Sequence, residues 1–130
     1  MLLNDLILLI ARIAMGSLFL PSGLGKLFHF AQFAQSLGQK LPYPEALAVL
    51  AVAGEIGGGL ALITGIWPRC TAILLLAFTI VATGLSHRYW TYEGAERRSQ
   101  EINFYKNVAI MGGFLCYAVS GAGRIRVRVG

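Results

Sequence analysis

The sequence predicts an all-α integral membrane protein, a four-helix bundle. Hydrophobic residues make up 56% of the 130-residue chain, and its mean hydropathy is +0.65. Charged residues make up only 13%, against about 25% in a soluble domain that must coat its surface with polar groups. The apolar residues fall in four runs, each near the roughly 20 residues that cross about 30 Å of hydrocarbon. None of the runs alternates with the period of two that a barrel strand requires. The apolar content excludes a disordered chain, and two cysteines, Cys70 and Cys116, are too few for a disulfide scaffold. The length fits a single domain, residues 1–130.

The first run covers residues 6–28. Met1-Leu2-Leu3-Asn4-Asp5 lacks the basic start of a cleaved signal, and the apolar stretch outruns one, so the segment reads as a permanent helix. Arg12 and Lys26 leave only residues 13–25 uncharged between them, too few to span, so at least one of the two enters the membrane. Residues 29–45 read as a long loop in which Pro42 and Pro44 bar a helix until about Glu45. The second run, 46–66, carries Glu55 near its middle. Trp67-Pro68-Arg69 is a tight turn into the third run, 70–87, which contains no Lys, Arg, Asp or Glu. Residues 88–103 form a polar loop, and the fourth run covers 104–121 before an Arg124, Arg126, Arg128 tail.

Four spans place both termini on one side. Basic residues divide four against four between the sides: Arg69, Arg124, Arg126 and Arg128 against Lys40, Arg88, Arg97 and Arg98. That balance gives no orientation by itself, and the net charge of the tail leans toward cytoplasmic termini. Phe28, Tyr43, Tyr89, Trp90, Phe104 and Tyr105 cluster at the long-loop side, as an interfacial aromatic belt does. The formal charge of +5 does not indicate a nucleic-acid partner, because its basic residues are scattered among apolar runs.

A charge near the bilayer centre costs roughly 2.5–3.5 kcal/mol on insertion scales, so it faces a partner or a cavity. Arg12, Gly16, Phe19, Gly23 and Lys26 share one helical face, as do Ala48, Ala51, Glu55, Gly58, Leu62 and Gly65. Lys106, Ala109, Gly113, Cys116 and Ser120 form a third stripe, and Thr79, Thr83 and Ser86, with His87 beside them, a softer polar one. Small residues mark close helix packing in membranes, so these stripes predict charges turned inward. Counted from the long-loop side, Lys26 and Lys106 lie roughly 3 Å deep, Glu55 about 14 Å and Arg12 about 24 Å. Glu55 is thus placed to pair with Arg12, or to look up toward Lys26, Lys106 or His87. Either arrangement makes a polar pocket for a small ligand.

Each feature also has a plainer reading. An Arg12–Glu55 pair is equally a packing device, snorkelling to headgroups is the commoner fate of terminal lysines such as Lys26 and Lys106, and a histidine placed as His87 is more often an interface residue with no ligand. Gly57-Gly58-Gly59 lacks a preceding strand and a following Lys-Ser/Thr, so it reads as close packing rather than a phosphate loop. The absence of a Cys-x-x-Cys pair argues against dithiol chemistry. His29 and His87, without a Cys-x-x-Cys-His or a His/Cys cluster, give no expectation of a haem or metal.

From about residue 8 to about residue 124 the chain resembles the DoxX family of small four-helix bacterial inner-membrane proteins. The resemblance is carried by Arg12-x-x-x-Gly16-x-x-Phe19, Gly23-Leu24-Gly25-Lys26-Leu27 and Glu55-x-Gly57-Gly58-Gly59-x-Ala61. It continues through Thr64-Gly65, Arg69, Thr83, His87 and Trp90. Phe104-Tyr105-Lys106-Asn107-x-Ala109-x-x-Gly112-Gly113 and Ser120-Gly121-x-Gly123 complete it. The resemblance implies cytoplasmic termini and Arg12, Lys26, Glu55, His87, Lys106 and Asn107 as pocket residues. It implies an accessory of an oxidoreductase or oxidative-stress system whose pocket takes a quinone or similar small redox molecule. Lipids, a soluble redox enzyme or a second copy would be its partners. The alternative is a non-catalytic scaffold or assembly subunit. Two positions depart from the family pattern: Ser22, where many members carry histidine, and Ala122, where proline is common.

Overall fold

The computed structural model describes residues 1–129. They form five α-helices and one short 3-10 turn: α1 (Leu2–Phe28), α2 (Phe30–Gly38), α3 (Pro44–Thr64), α4 (Pro68–Ser86), the turn Tyr89–Thr91, and α5 (Gly94–Ser120). The all-helical class is as expected, but the count is five helices rather than four. The additional helix, α2, lies where a loop was expected. Phe30, Phe33, Ala34 and Leu37 recur at helical spacing and give it an apolar face, which packs on α3 and touches α1.

The boundaries follow from local chemistry. Pro44 and Pro68 occupy the first positions of α3 and α4, where no N–H is needed. The residue before each proline, Tyr43 or Trp67, takes a left-handed conformation, φ 55° and 41°. Gly65 ends α3 at φ 78°, a conformation glycine adopts without strain, and its N–H and that of Ile66 both close on the Ala61 carbonyl. The polar stretch expected as a loop over 88–103 is helical from Gly94. Glu96, Arg97, Arg98, Gln100 and Glu101 are strong helix formers, so α5 gains its first turns from propensity rather than from burial.

α1 lies against α3, α3 against α4, and α4 against α5. Phe19 closes the ring by meeting Phe114 of α5 at 5.6 Å between ring centroids. The α1–α3 seam depends on glycine. A Cβ on Gly59 would stand 3.2 Å from the backbone nitrogen of Leu20, and one on Gly16 would collide with Ile63. Phe19, Leu62, Leu75, Phe114 and Tyr117 make the buried core. Outward, Ile7, Ile10, Ile13, Val49, Leu50, Leu60, Ile73, Leu74, Ile80, Val81, Leu115 and Val119 are exposed. An apolar exterior of this extent belongs against lipid rather than water.

Three helical stretches are long and apolar enough to cross a membrane: Leu2–Phe28, Pro44–Thr64 and Pro68–Thr91. The fourth expected span lies within α5, which is not among them. Asn103, Tyr105, Lys106 and Asn107 interrupt its apolar character, leaving an uninterrupted apolar stretch only from Val108 to Val119.

Beyond α5 the tail folds back over the start of α1 and the end of α3. Arg124 donates through its backbone N–H and its Nε to the Asp5 carboxylate, at 3.0 and 2.9 Å. The Val127 N–H donates to the Thr64 carbonyl at 2.8 Å, and Ala122 is buried.

Candidate functional site

The seam between α1 and α3 creates the site. At Gly23 the helices approach so closely that a Cβ would lie 3.0 Å from the Cβ of Glu55. Glu55, 3% exposed in the middle of α3, is thereby held against the last turns of α1. Lys26 Nζ donates to Glu55 Oε1 at 2.8 Å, and Ser22 Oγ lies 3.3 Å from both carboxylate oxygens as a further donor. The ammonium also stands 5.2 Å from the ring centre of Phe33 and 5.7 Å from that of Phe78. Carboxylate and aromatic faces together compensate the charge for the water it has lost.

The facing wall comes from α4 and α5. Thr79 and Thr83 donate their hydroxyls to the Leu75 and Thr79 carbonyls at 2.7 and 2.6 Å. With its proton so used, Thr83 Oγ1 accepts from Asn107 Nδ2 at 2.9 Å. At the end of α4, His87 Nδ1 lies 2.7 Å from Gln100 Oε1. An amide oxygen is an acceptor, so in this orientation Nδ1 carries the hydrogen and a neutral ring keeps Nε2 as an acceptor. Ser22, Lys26, Glu55, Thr79, His87 and Asn107 line a chamber of ~200 Å³, with Phe19, Phe78 and Ile110 as its apolar surfaces.

Four of the six expected pocket residues, Lys26, Glu55, His87 and Asn107, therefore come together; Arg12 and Lys106 do not. Arg12 lies roughly 20 Å further along α1 from Lys26. It is 1% exposed and donates through Nη2 to the Ile125 carbonyl of the tail. Its Nε and Nη1, and the Tyr117 hydroxyl, are buried without hydrogen-bond partners among the described residues. The choice left open for Glu55 thus falls on Lys26. Lys106 is exposed and lines neither the chamber nor its rim.

The stripe Lys106, Ala109, Gly113, Cys116, Ser120 is displaced because α5 is turned by about one residue, roughly 100°. Asn107, Ile110, Phe114 and Tyr117 face inward instead. Two large rings bury more apolar area than the small residues beside them, and they set the rotation. Cys70 and Cys116 are exposed free thiols. Sequence reasoning missed Ser22 and Gln100 as site residues and Asp5 as the partner of Arg124. Asp5 carried a signal, since it precedes Arg12 by seven residues on the same face of α1.

A helical molecule with three membrane-length apolar helices, an aliphatic exterior and a polar chamber between its helices is a membrane protein of the bundle type. The chain belongs to the DoxX family: the family model described as DoxX matches residues 7–88. It is 36% identical over 125 residues to Inner membrane protein YphA of Escherichia coli (strain K12), covering 94% of this chain and 88% of that protein. It is 36% identical over 124 residues to Inner membrane protein YqjF of the same organism, covering 93% and 88%. These relatives and the apolar helices support the inner membrane as its place. No solved structure matches the chain.

Proposed function

We propose that the chain is a single domain of four spans whose chamber holds the carbonyl-bearing head of a quinone or similar small redox molecule. It would serve there as an accessory of an oxidoreductase or oxidative-stress system, with a soluble redox enzyme docking at the membrane surface. The fourth span is α5. Its exposed face carries Ile102, Tyr105, Val108, Leu115 and Val119, while Asn107 faces the chamber. Of the polar residues that lower its hydropathy, Asn107 is spent inside the protein, and the exposed Lys106 lies near the long-loop end, within reach of headgroups. Four spans return the tail to the side of the N-terminus, and we place that side in the cytoplasm.

The observation that carries the ligand reading is the ion pair of Lys26 and Glu55 exposed to a chamber lined by further hydrogen-bonding groups. A purely structural pair needs no adjoining space. In the chamber, Lys26 and Asn107 supply donors to a carbonyl oxygen, and His87 Nε2 supplies an acceptor to a hydroxyl of the reduced form. Native mass spectrometry of protein extracted with its lipids should reveal a bound quinone. Titration with 2,3-dimethoxy-5-methyl-1,4-benzoquinone should give a Kd that Glu55→Gln or Asn107→Leu raises about tenfold, the loss of one hydrogen bond to a buried group. Lys106→Ala should leave it unchanged. Equal Kd values for wild type, Glu55→Gln and Asn107→Leu would overturn the reading.

The scaffold alternative draws on the other end of the molecule, where Arg12 and Asp5 hold the tail. On that reading no quinone co-purifies, and Lys26 and Glu55 can be replaced together without loss of any binding.

A further inference from the structure

The polar chamber is not the only space at this end. A second cavity of ~410 Å³ runs between α2, α3 and α4. Lys26, Phe78, Ala82 and Ser86 line both cavities, so the two share one wall. Away from that wall the second cavity is aliphatic: Leu37, Leu47, Leu50, Ala51, Ala77 and Val81. Leu50 and Val81 are 68% and 59% exposed, so this groove opens onto the apolar exterior that faces lipid. Its other end is braced by Lys40, whose Nζ donates to the Leu85 carbonyl in the last turn of α4 at 2.7 Å.

Size and chemistry divide the labour between the two spaces. Ligand pockets usually measure about 300–1,000 Å³. The polar chamber alone is below that range and the groove lies within it. The groove offers hydrogen bonding only where Lys26, Ser36, Lys40 and Ser86 border it, so its length suits a flexible hydrocarbon. We infer that the site takes a membrane-dissolved amphiphile, its quinone head in the polar chamber and its apolar tail in the α2–α3–α4 groove, passing beside Lys26 and Phe78. The inference rests on the head-binding role proposed above and adds the tail, the groove and a path from the bilayer. It also gives α2 a purpose: through Phe33 and Leu37 it forms a wall of the groove.

The test compares a tailless and a tailed quinone on the same protein in phosphatidylcholine nanodiscs. The probes are 2,3-dimethoxy-5-methyl-1,4-benzoquinone and its decyl homologue, decylubiquinone. Ala77→Trp and Ala51→Trp fill the groove from opposite walls; Ala77 is exposed, so its replacement leaves the interior intact. For each ligand the ratio of variant to wild-type Kd is read, which cancels partitioning into the bilayer. Decylubiquinone should weaken about tenfold or more, as a chain excluded from its apolar contacts does, while the tailless quinone stays within about twofold. The same factor for both ligands, or no change for either, overturns the groove assignment. Competition by a ten-carbon lysophosphatidylcholine as strong as by decylubiquinone would also overturn it, because the groove would then take any lipid chain. Failure of the head reading looks different: Asn107→Leu would leave decylubiquinone binding unchanged while the groove variants still weaken it.

Discussion

Glu55 concentrates the chemistry of this molecule in one side chain. It is 3% exposed in the middle of a membrane helix, and its charge is tolerable because Lys26 and Ser22 surround it. Removing one member of a buried pair strands the other. Lys26→Met should therefore lower unfolding stability by about 3–5 kcal/mol, and Lys26→Met with Glu55→Leu should recover most of that loss. Unfolding in mixed detergent micelles measures both, and a double variant no better than the single one would contradict the pairing. The glycines allow a second test on one turn of helix. A Cβ on Gly58 would lie 2.6 Å from Leu75 Cδ2, and Leu75 is fully buried, whereas a Cβ on Gly57 meets nothing within 4 Å. Gly58→Ala should cost about 1–3 kcal/mol, and Gly57→Ala should be neutral or gain up to about 1 kcal/mol from helix propensity. The same unfolding assay separates them.

Among the elements, α1 and α3 were legible because small residues repeat at helical spacing along one face, and glycine leaves nothing but the backbone to pack. Arg12, Gly16, Phe19 and Gly23 all lie buried on that face. In α5 the same reasoning turned the helix the wrong way. Gly113 and Cys116 read as packing residues by size, but Phe114 and Tyr117, one position on, have the larger area to bury. α2 is not legible as a span because its nine residues are too few to cross a membrane. The partners of Arg12 were hidden for another reason: Ile125 is 113 positions away and offers a backbone carbonyl, which every residue has. Arg12→Leu should release the tail while sparing the Lys26–Glu55 site. Limited trypsin digestion, which cuts at Arg124, Arg126 and Arg128, should then proceed faster than in the wild type. Unchanged cleavage would mean that Asp5 and the Val127–Thr64 hydrogen bond hold the tail without Arg12.

At the scale of the whole molecule, the question is how many times the chain crosses. Four spans put residue 2 and residue 129 on one side and Arg98 on the other; three would separate the termini. Single cysteines at those positions, in a chain with Cys70 and Cys116 replaced by serine, should react with an impermeant maleimide in two classes. In intact spheroplasts the residue 98 cysteine should label, and the two terminal ones only after lysis. Labelling of residue 129 together with residue 98 would remove α5 from the spans.

The closed floor beneath the chamber has an electrical consequence. Leu62, Leu75 and Phe114 are fully buried below the Lys26–Glu55 pair, and the tail lies beyond them. A polar group that enters the chamber meets this apolar core and should leave on the side it entered. Membrane voltage, worth about 2.3 kcal/mol per charge per 100 mV when a charge crosses the whole bilayer, does no work on an uncharged ligand that enters and leaves on one side. Reconstituted protein should carry no current, and its affinity for an uncharged ligand should be the same in polarised and depolarised vesicles.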